Sequence, residues 1–163
     1  ATTPALGPEP GNPFGTGKNL PLLAVAHGIP YVATASVADL HDLERKVTHA
    51  MQLHGARYIH VDVPCPLGWG HASNETIQVA RLAIECGLFP LFEAEQGRIT
   101  GSTPIRRRVP VEEYLRPQQR FAHLFKGAGD AARIARLQAM ADENIRRFDL
   151  LRAASANGGP AHA

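Results

Sequence analysis

Between Leu20 and Ala94 short apolar strand-like runs alternate with amphipathic helical ones, and no other feature constrains the fold as much. Leu20–His27 predicts a short helix, with Pro21 in its first turn and Gly28 just past its end. A strand follows at Tyr31–Ala35, with Thr34 and Ser36 at the edge where parallel sheets gather ligands, although helix capping explains Ser36 as well. Asp39 is placed to cap a helix through Leu53, with Asp42 in the first turn and Leu40, Leu43, Val47, Ala50 and Met51 on one face; Gly55 closes it. Arg57–Val63 is the next strand, and Ser73 caps a helix that carries Ile77, Ala80 and Ile84 to a stop at Gly87. Leu88–Ala94 makes a third strand, paired with a short one near Arg98–Thr100 across Gln96-Gly97. The expectation is an α/β fold, a mostly parallel sheet with flanking helices, because each crossover helix must cover the sheet face it spans.

Beyond the sheet the pattern turns helical. Val111–Phe125 reads as a helix interrupted by Pro117, and Asp130–Leu151 as a longer one with Ile134, Leu137, Ala141, Ile145 and Phe148 on one stripe. Such an arm docks on its own domain or, as a second reading, on another subunit. The organisation is then a loop leading into the domain (1–19), an α/β part (20–104), a helical arm (105–152) and a disordered tail (153–163). The first nineteen residues hold four Gly and four Pro, and Gly15-Thr16-Gly17-Lys18-Asn19 is not a phosphate loop: Asn12 stands where the first Gly is required and Asn19 replaces the Ser/Thr.

The balance of 44% hydrophobic and 20% charged residues, with a formal net charge of +2, gives no nucleic-acid signal. The basic run Arg106-Arg107-Arg108 lies between Pro104 and Pro110 without interleaved aromatics, which suits a solvated loop or a carboxylate contact. No stretch is apolar for the length of a membrane span and no signal-peptide layout opens the chain, so a cytoplasmic location is expected, with neither membrane nor nucleic acid as a partner.

Cys65 and Cys86 are the only cysteines, too few for a disulfide framework or a self-contained zinc site. Their settings differ. Cys86 falls near the end of an amphipathic helix and reads as core. Cys65 is delivered by the strand-like run Tyr58–Val63 into Pro64-Cys65-Pro66-Leu67-Gly68-Trp69-Gly70, where the prolines stiffen the turn and the glycines let the backbone pass close to a bulky group. A lone cysteine is either a small buried hydrophobe or a ligand, and residue chemistry alone leaves both open. His41, His49 and His54 share one helix without the spacing of a metal pair, so they read as surface or boundary residues. Tyr58, His60 and Asp62 alternate onto one strand face, as a polar cluster beside a cofactor or as packing against a neighbouring subunit. Trp69 covers a cluster or anchors the turn in the core.

Four strings resemble a family: Leu20-Pro-Leu-Leu-Ala-Val-Ala-His-Gly28, Ile29-Pro-Tyr-Val-Ala-Thr-Ala-Ser36, Pro64-Cys-Pro-Leu-Gly-Trp69, and Pro110-Val-Glu-Glu-Tyr-Leu115 with Gln119-Arg-Phe-Ala-His-Leu124. In order and spacing, from about Gly11 to Leu124, the chain resembles the C-terminal part of the thiamine-diphosphate-binding beta subunits of 2-oxoacid:ferredoxin oxidoreductases, of which the pyruvate enzyme is the commonest. The resemblance implies half of a thiamine-diphosphate-binding fold. It also implies a subunit, not active as this chain alone, of an enzyme that oxidatively decarboxylates a 2-oxoacid to an acyl-coenzyme A. Electrons would pass through [4Fe-4S] clusters to ferredoxin or a similar acceptor. The implied cofactors are thiamine diphosphate, Mg2+ and a [4Fe-4S] cluster, and the implied partners are alpha-, gamma- and delta-type subunits.

Within the family one cluster thiolate comes from the string matching Pro64-Cys65-Pro66, so the resemblance makes Cys65 the candidate metal ligand and assigns no catalytic residue. The departures are equally specific. The family's Cys-x-x-Cys pair is missing, and so is its Gly-Asp-Gly magnesium segment, the nearest string being Gly129-Asp130-Ala131 at the start of the last helix. Most ligands are therefore expected outside these residues. Leu67 stands where a small polar residue is expected. Two other functions share these strings: an aromatic 2-oxoacid (phenylglyoxylate) dehydrogenase that reduces NAD, and a non-catalytic assembly module that has lost its cofactor site.

Overall fold

Asn19 accepts the Leu22 backbone N–H at 3.1 Å and starts helix α1 (Leu20–Ala26), which ends at Gly28 with φ 67°. A computed structural model gives the fold of residues 19–127 and 130–151; the expected leading loop, the tail and the Gly15–Lys18 string lie outside the described residues. Strand β1 (Tyr31–Ser36) is buried at every position, because helices cover both of its faces. On one face Val32 joins Ala24 and Val25 of α1; on the other Tyr31 and Ala33 meet Ala50 of helix α2 (Leu40–Gln52), which Asp39 caps through the Asp42 N–H at 3.0 Å.

Helix α2 crosses to strand β2 (Arg57–Asp62), which pairs with β1 in parallel from Tyr31↔Arg57 to Ser36↔Asp62. Both strands therefore end together at their carboxyl ends, and the chain leaves β2 directly into the Cys65 turn. That turn begins helix α3 (Pro66–Trp69); a 3-10 turn (Ser73–Glu75) then leads into helix α4 (Thr76–Glu85). The α4 helix starts at Thr76, so Ser73 opens the 3-10 turn instead of capping the helix.

The fold is α/β with flanking helices, as expected, but among the described residues only β1 and β2 are parallel. Strand β3 (Phe92–Glu95) runs antiparallel to β1, and strand β4 (Arg98–Ser102) antiparallel to β3, giving the order β2-β1-β3-β4. The reason lies in α4. Its buried residues Val79, Leu82 and Ala83 pack with Val111, Tyr114 and Leu115 of helix α5 (Val111–Leu115), so α4 belongs to the arm and makes no parallel crossover. The apolar face predicted for it is rotated accordingly, Ala80 being buried but Ile77 45% exposed. The hairpin between β3 and β4 forms where expected, with Gln96 and Gly97 both at positive φ, 49° and 77°, as a tight two-residue loop of primed type requires.

Pro117 stops α5, and a 3-10 segment (Gln119–Phe125) follows. Helix α6 (Ala131–Arg147), capped by Asp130, then runs back over the domain. Its stripe is the predicted one: Ala141, Ile145 and Phe148 are buried, Phe148 stacks on Phe92 at 4.6 Å between ring centroids, and the Ile105 N–H donates to the Leu150 carbonyl at 2.8 Å. The arm thus docks on its own sheet. Gly87 makes the fit possible, because at φ 85° a Cβ there would come within 2.7 Å of Ile145 Cγ1.

The largest departure from expectation is the orientation of α2. Of the predicted face Ala50 is buried and Leu43 half-buried, but Leu40, Val47 and Met51 face outward, 66%, 39% and 77% exposed, while Asp42 and Lys46 face the sheet. Lys46 is fully buried; its Nζ donates to Asp42 Oδ2 at 2.5 Å and to the Thr34 carbonyl at 2.8 Å, and Thr103 Oγ1 donates to Asp42 Oδ1 at 3.0 Å. Next to them Glu93 accepts from Tyr31 Oη at 2.6 Å and from Arg45 at 2.6 Å. Burial pushes the Lys46 ammonium down and Tyr31 well up. Burial also raises Glu93, but hydrogen bonds from Arg45 and Tyr31 outweigh it and hold the carboxyl below its ordinary value. A buried charge is tolerated when paired and fully hydrogen-bonded, and counting apolar periodicity cannot anticipate that. Asp42→Ala, which leaves Lys46 buried without its carboxylate, is expected to destabilise the chain by about 3 to 5 kcal/mol in urea unfolding, and Asp42→Leu with Lys46→Met by much less.

Candidate functional site

The Cys65 turn sits at the carboxyl end of the one parallel pair, where the Val37 N–H donates to the Asp62 carbonyl at 3.3 Å and closes the two strand ends together. Carboxyl ends of parallel strands are where open α/β sheets gather ligands. Pro64 is buried and anchors the turn, while Cys65 is exposed and opens α3 in an extended conformation, φ −93° and ψ 111°. Its Sγ accepts the Gly68 N–H at 3.3 Å. Gly68 lies against that sulfur, a Cβ on it being 3.4 Å away, in ordinary contact. Leu67, 97% exposed, lies beside the thiol.

Polar groups converge around the turn. Asp62, the last residue of β2, has an Oδ2 that is buried without a hydrogen-bond partner; burial pushes its carboxyl up to about 6, and the Arg120 cation draws it part of the way back. On the far side of the turn His71 bonds the Ala72 carbonyl through Nδ1 at 2.9 Å and leaves Nε2 buried and unpartnered. Two orphaned polar atoms flanking an exposed thiol are unusual in a finished protein interior. They suit a turn that receives a further group. Trp69 is half-buried against the α4–α5 core with the Arg120 guanidinium 3.7 Å from its ring centroid, so it anchors the turn, the second of the two roles open to it.

The remaining candidates find partners within the chain. Tyr58 and His60 satisfy each other at 3.0 Å, and His60 lies 5.9 Å from the Phe89 ring, so packing within the chain holds them; Asp62 does not join that pair and faces Arg120. Thr34 Oγ1 donates to the Pro90 carbonyl at 2.7 Å and accepts from Phe92 N–H at 2.8 Å, and Ser36 accepts from Ala38 N–H at 3.2 Å, which gives both hydroxyls local work. His49 bonds Glu95 at 2.8 Å, while His41 and His54 are exposed. Cys86 is fully buried, its thiol pushed up to about 12 by desolvation, as a core cysteine should be. Arg107 and Arg108 pair with Glu85 and Asp142 at 2.8 and 2.7 Å, the carboxylate contact expected of the basic run.

Among the described residues no three His, Cys, Asp or Glu side chains gather as a metal site. Among the described residues Cys65 could hold a cluster iron, with other ligands supplied from elsewhere. No helix among the described residues is long and apolar enough to cross a membrane. A groove of about 490 Å³ between α5 and α6 includes none of the turn's residues in its lining. Missed by sequence reasoning was Arg120, although it stands in the family-like string Gln119–Leu124; nothing local to that string says what the guanidinium touches.

Fold and turn together define an α/β subunit that presents one exposed cysteine at the carboxyl end of a parallel strand pair. Curated relatives supply the family. Over 149 residues the chain is 46% identical to the pyruvate synthase subunit PorB of Methanosarcina barkeri, covering 91% of this chain and 50% of that protein. It is 48% identical over 109 residues to the PorB subunit of Methanothermobacter marburgensis, covering 66% of this chain and 37% of that protein. The ketoisovalerate oxidoreductase subunit VorB of Pyrococcus abyssi is 42% identical over 106 residues, 64% of this chain and 34% of that protein. No protein-family model matches. The chain belongs to the beta subunits of 2-oxoacid:ferredoxin oxidoreductases that include PorB and VorB, and it spans half or less of the length of these relatives.

Asp62 gives a pH test of this geometry. Its folded-state value, about 6, lies above the 3.8 of an exposed carboxyl, so the folded chain binds this proton more tightly than the unfolded chain. Its contribution to stability is then full below pH 4 and is lost as pH rises towards 6, on the order of 2 kcal/mol. Urea unfolding from pH 4 to 7 should show this loss in the wild type and lack it in Asp62→Asn.

Proposed function

We propose that this chain supplies part of the beta subunit of a 2-oxoacid:ferredoxin oxidoreductase, acting on pyruvate, and that Cys65 is one thiolate ligand of a [4Fe-4S] cluster. The observation that carries the reading is the exposed Cys65 sulfur, held by the Gly68 N–H in a proline-stiffened turn at the carboxyl end of β2. Clusters of this type require cysteine thiolates, and N–H bonds to sulfur with restricted water access set their potentials. Pyruvate is favoured because the relatives of 46% and 48% identity are pyruvate synthase subunits, while the VorB relative stands at 42%.

In the complete enzyme thiamine diphosphate would supply the carbanion chemistry of decarboxylation. This chain's residues do not carry that chemistry. Their part is narrower: β2 and the proline pair aim the Cys65 sulfur, Gly68 donates to it, and Asp62 and His71 present unpartnered polar atoms beside the turn. The complete enzyme would convert pyruvate and coenzyme A to acetyl-coenzyme A, carbon dioxide and a proton, with two electrons passing to ferredoxin or a similar acceptor; Cys65 would help hold the cluster that supplies the electron exit. The alpha-, gamma- and delta-type subunits and that acceptor are the proposed partners.

The complete complex, co-purified and assayed for coenzyme-A-dependent acceptor reduction, is expected to use pyruvate ahead of 2-oxoglutarate, branched-chain and aromatic 2-oxoacids. In the same complex Cys65→Ala is expected to keep bound thiamine diphosphate, lose the electron paramagnetic resonance signal of the adjacent cluster and lose acceptor reduction by a factor of at least about 100. An intact cluster signal with full acceptor reduction in Cys65→Ala would refute the ligand assignment. Preference for a branched or aromatic 2-oxoacid would refute the pyruvate assignment alone.

A further inference from the structure

The Pro110–Leu124 stretch has no assigned chemistry, yet it reaches the Cys65 turn. Pro117 prevents α5 from continuing, and the chain reverses so that the Gln119 N–H donates to the Gly70 carbonyl at 3.0 Å. Gly70 is at φ 69°, and a Cβ on it would lie 2.6 Å from Gln119 Cβ, so the approach requires glycine there. One residue further, the Arg120 guanidinium lies 3.7 Å from the centroid of the Trp69 ring and 4.6 Å from that of Phe121. Its Nε donates to Gln118 Oε1 at 2.8 Å and its Nη2 to Tyr114 Oη at 3.0 Å. Gln118 is itself fully buried and donates to the Tyr114 carbonyl at 2.5 Å, so the groups that hold the guanidinium are fixed to one another.

Arg120 packs on one end of the turn, and its charge is felt at the other. Trp69 is the last residue of α3, after Cys65; Asp62 is the last residue of β2, before it, and Arg120 is the cation that stabilises the Asp62 carboxylate. Between these ends α3 is only four residues long, too short to keep its shape by its own hydrogen bonds. An exposed thiol on such an element needs an external brace to hold one orientation. A stacked, bidentate arginine provides a brace that lysine cannot copy, because the planar fork both stacks and donates in fixed directions.

We propose that Arg120 is the positioning residue of the Cys65 turn: clamped by Tyr114 and Gln118 and stacked on Trp69, it holds the Cys65 sulfur in the orientation that ligates an iron–sulfur cluster. This rests on the reading of Cys65 as a ligand, and the test separates the two. In the 163-residue chain, hydrogen exchange of the Gly68, Trp69 and Gly70 amides is expected to quicken at least about tenfold in Arg120→Ala and in Trp69→Leu, and no further when the two are combined. The β1 amides are expected to keep their protection. In the assembled complex, Arg120→Lys is expected to keep the cluster iron while changing the cluster's electron paramagnetic resonance line shape.

Unchanged exchange in the turn, equal loss of protection in β1, or an unaltered cluster spectrum would each overturn the positioning role. A cluster signal that survives Cys65→Ala would remove the ligand reading and with it the purpose assigned to Arg120, whatever the turn's exchange does. A positioning role that fails alone leaves Cys65→Ala without a cluster and Arg120→Lys with a wild-type one.

Discussion

A buried ammonium lies where three segments of the fold meet. Lys46 lies with no exposed surface between α2 and the sheet, held by Asp42 and by the Thr34 carbonyl, and the same carboxylate accepts from Thr103 beyond the β3–β4 hairpin. One ion pair therefore ties together α2, the central strand and the segment that leads from the sheet to the arm. A hydrophobic contact at this place would be less directional. The pair instead fixes which face of α2 meets β1, and that orientation sets where β2 is laid down beside it. Stability is a separate matter, because buried pairs often do no better than apolar residues of the same volume.

From that anchoring follows the position of the Cys65 turn. With β1 and β2 parallel and in register to Ser36↔Asp62, the chain must leave β2 at the sheet's carboxyl edge, and Pro64 and Pro66 leave it little freedom there. The arm then closes on the turn from the other side, through Gln119 on Gly70 and Arg120 on Trp69. The α4 helix, drawn into the arm's core by Val79, Leu82 and Ala83, leaves the sheet antiparallel beyond β1. Sheet and arm thus share a core through Phe92 and Phe148 and meet again at the Cys65 turn.

Much of this was legible where the cause is local. The Asp39 cap, the stop at Pro117, the Gln96-Gly97 hairpin and the stripe of α6 each follow from residues a few positions apart, and the structure has all of them. The outward face of α2 was illegible for a physical reason. Leu40, Val47 and Met51 have the period of a buried stripe, and only the distant Thr34 and Thr103 make it favourable for Asp42 and Lys46 to take the inner face. The antiparallel β3 escaped for a similar reason, since the partner of α4 lies in the arm. At the site, the Pro-Cys-Pro turn was readable from its own residues. The Arg120 stack was not, because no pattern links an arginine after a proline break to a tryptophan of an earlier element.

The account stands or falls on the Cys65 sulfur. An iron-edge anomalous map of the assembled, cluster-loaded complex would locate every iron relative to it. A peak within bonding distance of Cys65 Sγ, with the Gly68 N–H still directed at that sulfur, is the predicted result; a fully ligated cluster whose four thiolates all come from other cysteines, with Cys65 left free, would contradict it.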